Sequence, residues 1–399
     1  MPGKTAVGVA TGGSAGRRSM RLLGVACVAI FATACGDGMS PASGPDTDDT
    51  TVRIGFLVSG VRTYPNGAMI AVDEVNGRGG LSGRPVEIIV REGLEEVSAA
   101  AEAADALIAT DGVVALIGPN RSSHAIEVGA IAQRLGVPMI TTAATNPGVT
   151  AAGDLVFMAA FTDRFQGRVV AEFAAGTLGV MAAAVVTQRG DVYSEGIGEF
   201  FVDQFRGSGG AIVAEESYDR DATDFAAQLA RIAAATPGAV FVPGRAEEVA
   251  LLSAQARALP VHDAAGEPTL LLGADAWDNA ALLDNEEAAV EGSFFSSHFS
   301  PDTDEPAARA FVDTYVARYG IEPTGGDAVS YDAVRLFLEA AARAGSLDAD
   351  AVRREIQATR QYAGATRISH YNDARHPTKS AVIMTIENGA KKFYRQVDP

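Results

Sequence analysis

From residue 52 onward, short apolar runs alternate with Ala-rich stretches whose apolar positions recur at helical spacing. The runs at 53–58, 86–90, 113–117 and 137–141 predict buried strands, and the 3.6-residue spacing over 65–76, 97–109 and 122–135 predicts the helices between them. Gly77, Gly79, Gly80 and Gly136 stand where those helices should end. A second series follows Asp163, with strands at 182–187, 211–215, 239–242 and 269–272 and helices at 165–178, 193–206, 225–234 and 247–258. Strand–helix alternation of this kind is the signature of an α/β fold with parallel sheets. Two successive series predict two doubly wound lobes.

After Ser297 the helical spacing returns over 305–319 and 327–344, and a β-rich tail begins near Thr366. Its apolar runs at 381–386 and 393–397 flank the turn-forming Glu387-Asn388-Gly389 and predict a hairpin. The expected organisation is an N-terminal lobe of 52–163 and 298–366, and a C-terminal lobe of 164–297 and 367–399. A hinge joins the lobes and a cleft separates them. Ligands of doubly wound sheets sit beyond the carboxyl ends of the strands, which here face that cleft.

The first residues follow a different pattern. Lys4, Arg17, Arg18 and Arg21 precede an apolar run from Leu22 to Ala34, too short for the roughly 20 residues of a membrane span. The segment 1–34 is expected to be an export signal. It ends in Ala32-Thr33-Ala34-Cys35, similar to the lipobox of bacterial lipoproteins, which implies a lipid on Cys35. Residues 35–51, rich in Gly, Ser, Pro and Asp, are expected to be a flexible tether. Removing 1–34 also removes Cys27, so the mature chain could form no internal disulfide. An exported, lipid-anchored protein of the periplasm or cell surface is the expectation.

A formal charge of −18 with no basic cluster disfavours nucleic acid as a partner. Gly12-Gly13-Ser14-Ala15-Gly16 fits the nucleophile-elbow spacing but lies in the basic signal segment, with no strand before it. The five histidines are scattered without metal-ligand spacing, and Asp46, Asp48 and Asp49 lack the rest of a calcium loop. No cofactor, no metal and no catalytic cluster are expected, and an enzyme using the cleft is disfavoured.

Five segments carry a resemblance: GRGGLSGRPVEIIV (77–90), ALIGPNRSSHAIEVGAIAQRLGVPMITTAATNP (115–147), YSEG (193–196), LLGADAWDN (271–279) and SYDAVRLF (330–337). Their order and spacing over 52–399 resemble the branched-chain amino-acid-binding (Leu/Ile/Val-binding-like) family of type I periplasmic solute-binding proteins of ABC transporters.

Candidate ligand groups follow from placement and from that resemblance. Ser122 follows a strand and opens a helix, whose free N–H groups suit a ligand carboxylate; the alternative is that it caps the helix. Ala143, Ala144 and Thr145 follow the next strand and should share its rim, although Thr145 could be a plain turn residue. The resemblance implies a carboxylate on the Ser122 and Thr145 hydroxyls and main-chain contacts around Ala143. Asp275, after the strand at 269–272, is placed to compensate an ammonium group. The resemblance also implies that Tyr193 closes onto the ligand from the second lobe, and that Arg245 contacts it, favouring an acidic or carboxamide side chain if it faces inward. Trp277 is a candidate apolar wall or a packing residue. The loop 59–66 is shorter than the family's, and Tyr64 is the candidate to cover the ligand there. The expected mechanism is hinge closure around an amino acid or related zwitterion, followed by delivery of the ligand to an ABC permease by a monomer, with sensing for a receptor as the alternative.

Overall fold

The computed structural model describes residues 50–60, 64–259, 261–283 and 287–399. The expected signal peptide, Cys35 and nearly all of the tether lie outside the described residues.

The first lobe is built from β1 (Val52–Leu57), α1 (Tyr64–Gly77), β2 (Val86–Arg91), α2 (Val97–Ala109), β3 (Ala115–Ile117), α3 (Ser122–Leu135), β4 (Met139–Thr141) and β5 (Val156–Met158). The strands form a parallel sheet in the order β2-β1-β3-β4-β5. Period-2 alternation divides β1 between the two faces: Ile54 and Phe56 join one core, Leu57 the other. The strand order reverses between β1 and β3. There Gly118 (φ +86°) passes so close to β1 that a Cβ on it would lie 2.2 Å from the Leu57 carbonyl oxygen, so glycine alone fits.

The second lobe comprises α4 (Asp163–Glu172), β6 (Ala182–Gln188), α5 (Val192–Gly207), β7 (Ala211–Tyr218), α6 (Ala226–Ala235), β8 (Ala239–Phe241), α7 (Ala246–Ala258), β9 (Leu270–Gly273), α8 (Glu287–Val290) and β10 (Phe294–Ser297). The chain then returns to the first lobe for α9 (Pro306–Tyr319), α10 (Gly325–Ala344) and α11 (Ala349–Gln357), where Phe311, Val329 and Leu336 share the core of Ile54 and Phe56. A small antiparallel sheet follows: β11 (Arg360–Ala363), β12 (Arg367–Tyr371) and β13 (Pro377–Thr378). The hairpin β14 (Ala381–Glu387) and β15 (Ala390–Val397) completes the second sheet in the order β15-β14-β10-β9-β8-β6-β7. Only the pairings that involve β14 are antiparallel.

The tail departs from expectation. Residues 367–378, expected in the second lobe, belong with the first: the Tyr371 hydroxyl donates to Met158 O at 2.9 Å, its ring meets Phe157 edge-on, and Arg375 donates to Val156 O at 3.1 Å. Strand patterning reveals a strand but not the sheet it joins, which is why the boundary was misplaced. The chain therefore crosses between lobes after β5, after β10 and after β13. Beside the second crossing, Asp278 Oδ2 accepts from Ser297 Oγ and from Gly325 N of α10, each at 2.7 Å, while Oδ1 accepts from Lys391 Nζ at 2.8 Å. One buried carboxylate thus ties both lobes.

Candidate functional site

A cavity of about 540 Å³ opens between the lobes, lined from the first by the loops after β1 and β3 and the start of α2, and from the second by those after β6, β7, β8 and β9. Both sheets reverse strand order at these loops, between β1 and β3 and between β6 and β8, so the cavity lies at two facing switch points. Asn120 stitches the first of these: its Oδ1 accepts from Ser59 N at 2.8 Å and its Nδ2 donates to Ser59 O at 3.0 Å.

Ser122 is the first residue of α3, and the capping position belongs to Arg121, which makes no side-chain cap. The Ser122 hydroxyl is thereby free of the capping role and instead accepts from Asn146 N at 3.3 Å. The exposed donors of the α3 terminus, with the positive end of the helix dipole, face the cavity beside Ser122 and Ser123 and favour an anion. Ala143 lines the same wall.

Asp275 faces them from the second lobe at the start of a one-turn 3₁₀ segment after β9. Its Oδ1 accepts from the Tyr193 hydroxyl at 2.9 Å and from Gln166 Nε2 at 2.8 Å, and its Oδ2 meets His298 Nε2 at 3.2 Å. Gln166 Oε1 in turn accepts from Asp275 N and Ser296 Oγ, both at 2.7 Å, and the His298 ring lies 4.0 Å from that of Phe161. Burial lowers the His298 pKa despite the neighbouring carboxylate, which keeps the ring neutral at pH 7. Burial, then the Asp275 charge, pushes the Tyr193 phenol well above its ordinary value, so it stays a donor. The result is a fixed, oriented carboxylate at the cavity edge.

Tyr64 also reaches the cavity, with its ring against Gly326 of α10: a Cβ there would lie 1.9 Å from the ring. Residues 61–63 of the same loop lie outside the described residues. Arg245 precedes α7, faces the cavity and pairs with Asp191, the N-cap of α5. Arg121 pairs with Glu95 at 2.9 Å, and Arg220 of the second lobe meets Glu96 of the first at 3.2 Å.

Ser122, Ala143, Tyr193, Asp275, Arg245 and Tyr64 are thus brought to one cavity, and three candidates are not. Ala144 and Thr145 are buried behind Ala143, and the Thr145 hydroxyl faces the buried Asp163 carboxyl instead. Burial raises the pKa of that carboxyl well above its ordinary value, and Thr145 offsets part of the rise. Trp277 is no cavity wall. It is fully buried in the second-lobe core beside Phe295, with Nε1 donating to Val242 O at 2.9 Å. In a segment with three residues per turn, side chains two apart point to different faces, so Asp275 and Trp277 diverge. Sequence reasoning missed Gln166 and His298, which no local pattern marks, and also Asn120 and Arg121, which directly precede Ser122. Among the described residues, no group of three His, Cys, Asp or Glu side chains could hold a metal ion.

Comparison with known proteins agrees with this architecture. The curated Leu/Ile/Val-binding protein BraC3 of Rhizobium johnstonii is 29% identical over 289 residues, 72% of this chain and 76% of the relative. The crystal structure of a leucine binding protein, LivK, from Thermotoga maritima superposes with a TM-score of 0.81 at 33% identity, covering 87% of this chain and 99% of that one. The branched-chain amino acid transporter substrate binding protein LivJ from Streptococcus pneumoniae, solved with isoleucine, superposes with a TM-score of 0.80 at 28% identity, covering 88% and 100%. The family model described as periplasmic binding protein matches residues 55–391. With that match spanning both lobes and the cavity between them, the chain belongs to the periplasmic binding protein family.

Proposed function

We propose that the chain is an exported, solute-binding component of an ABC transporter that captures an amino acid in the interlobe cavity and, closed around it, delivers it to the permease. The observation that carries this reading is the opposition of two unlike poles across one cavity: the α3 terminus with Ser122 on one lobe, and Asp275 held by Tyr193 on the other. The first suits a carboxylate and the second an ammonium group, so a zwitterion satisfies both. Ala143 would contact it through main-chain groups and Tyr64 would cover it. The relatives named for leucine, isoleucine and valine support an amino-acid ligand, and the family supports export. In the same proposal Cys35 carries the lipid anchor and the protein works as a monomer.

Thermal melting of the purified protein against a panel of amino acids, amides and small peptides tests this. A ligand that binds only the folded state adds about 2.7 kcal/mol at 100 times its Kd, so one or a few amino acids should raise Tm. A flat response across the panel overturns the proposal.

A further inference from the structure

The cavity wall beyond the two poles is charged. Among the described residues its apolar lining is confined to Val97 and alanines, apart from the rings of Tyr64 and Tyr193; no Leu, Ile, Met or Phe faces it. Of the four described arginines that line it, Arg189 and Arg220 are half or more exposed, and the two more buried guanidinium groups stand on opposite walls, Arg121 immediately before Ser122 and Arg245 before α7. Their side chains are only 16% and 26% exposed. A branched aliphatic side chain placed here would strip water from these groups and return no hydrogen bond, a cost that apolar burial does not offset.

Charge balance narrows the choice. The deepest anions are Asp275 and Asp191, whose side chains are 7% and 8% exposed, and the part-buried Glu248 lines the same cavity beside Arg245. Asp275 serves the ammonium pole, and Asp191 and Glu248 together neutralise Arg245. Arg121 is left with Glu95, whose side chain is 49% exposed and solvated at the rim; such a pair is weak and readily exchanged. Gly60 (φ +69°) packs against the Arg121 guanidinium, 2.8 Å from where a Cβ would stand, and helps hold it in place. Arg121 therefore presents an oriented fork with donors to spare, which matches a carboxylate.

We propose that the ligand is a dicarboxylic amino acid, whose side-chain carboxylate is received by Arg121 with Arg245 facing it from the other lobe. This rests on the zwitterion reading of the cavity and adds the identity of the third group. It separates this chain from relatives named for leucine, isoleucine and valine.

Calorimetric titration of the purified protein with L-glutamate, L-aspartate, L-glutamine and L-leucine at pH 7 tests it. Glutamate or aspartate should bind at least about tenfold more tightly than glutamine or leucine, because a hydrogen bond to a charged group is worth about a factor of ten or more. Arg121→Gln should weaken the acidic ligand about 10- to 100-fold, and Arg121→Lys should retain more of the affinity. Leucine or glutamine binding as tightly as the acids overturns the dicarboxylate assignment while leaving an amino-acid receptor in place. Unchanged glutamate and aspartate affinity in both Arg121 variants also overturns it. No binding by any amino acid overturns the functional reading itself.

Discussion

Arg220 on the loop after β7 and Glu96 at the start of α2 meet at 3.2 Å across the mouth of the cavity, one from each lobe. The pair spans the cleft, so widening the cleft would break it. Its side chains are half or more exposed, which limits its contribution to about 0–1 kcal/mol. Arg220→Ala is expected to speed ligand release by up to about fivefold, read by stopped flow, with a smaller effect in high salt. An unchanged release rate would remove the pair from closure.

Asp275→Asn keeps the shape of the polar cluster and removes its charge. The hydrogen bonds from Tyr193 and Gln166 can persist, but the compensation for a ligand ammonium group is lost. Affinity should fall by about 1.5–3 kcal/mol, the worth of a hydrogen bond to a charged group. Titration of the variant checks this, and equal affinity would show that the ammonium group docks elsewhere.

Gly326→Ala places a methyl group 1.9 Å from the Tyr64 ring. Either α10 or the tyrosine must move, at about 1–3 kcal/mol for overpacking. Chemical denaturation should show that loss, and adding Tyr64→Ala should recover part of it. Additive losses in the double variant would separate the two residues.

Lys379, fully buried at the third crossing, donates to Ala159 O at 3.0 Å and to Thr366 Oγ1 at 2.7 Å. Burial lowers its pKa to about 8, with Asp332 opposing the shift. Between that value and the roughly 10.4 of an unfolded lysine, the unfolded chain holds a proton that the folded chain has released, so stability rises with pH. Below about pH 8 the buried charge exerts its full penalty, about 3 kcal/mol. Denaturation of wild type and Lys379→Met should therefore converge or cross as pH rises from 8 to 10, with wild type gaining. A constant difference would mean that the amine keeps its ordinary affinity for protons.

The fold was legible where apolar runs alternated with stretches of helical spacing. Helices α2 and α3 fall on their expected residues, and the hairpin of β14 and β15 turns at Glu387-Asn388-Gly389. The fifth strand of each parallel series, β5 and β10, went unread, although β3, β4, β8 and β9 are as short and were read from the apolar runs that contain them. Asp348 accepts from Ala351 N and caps α11, a local signal that could have announced that helix. At the site, positions just beyond a strand were readable, because doubly wound sheets send those residues to the cleft; Ser122 and Asp275 are of this kind. The residues that orient them were not. His298 lies 23 positions from Asp275 and Gln166 lies 109 away, and only the packed hinge makes them neighbours. The sequence left Trp277 open between cavity wall and packing residue, because its direction depends on a single tight turn.

The shared carboxylate of Asp278 has a mechanical consequence. Asp278 and Lys391 both belong to the second lobe, and the carboxylate braced by Lys391 at Oδ1 holds Gly325 N of α10, in the first lobe, at Oδ2; sliding of the lobes at that point would break the attachment to α10, whereas pivoting about it need not. Such a joint acts as the fulcrum of a lever whose long arms end at Glu96 and Arg220. A slight rotation deep in the molecule then becomes a wide sweep at the entrance, and the ligand is let in or shut away with little disturbance of either core.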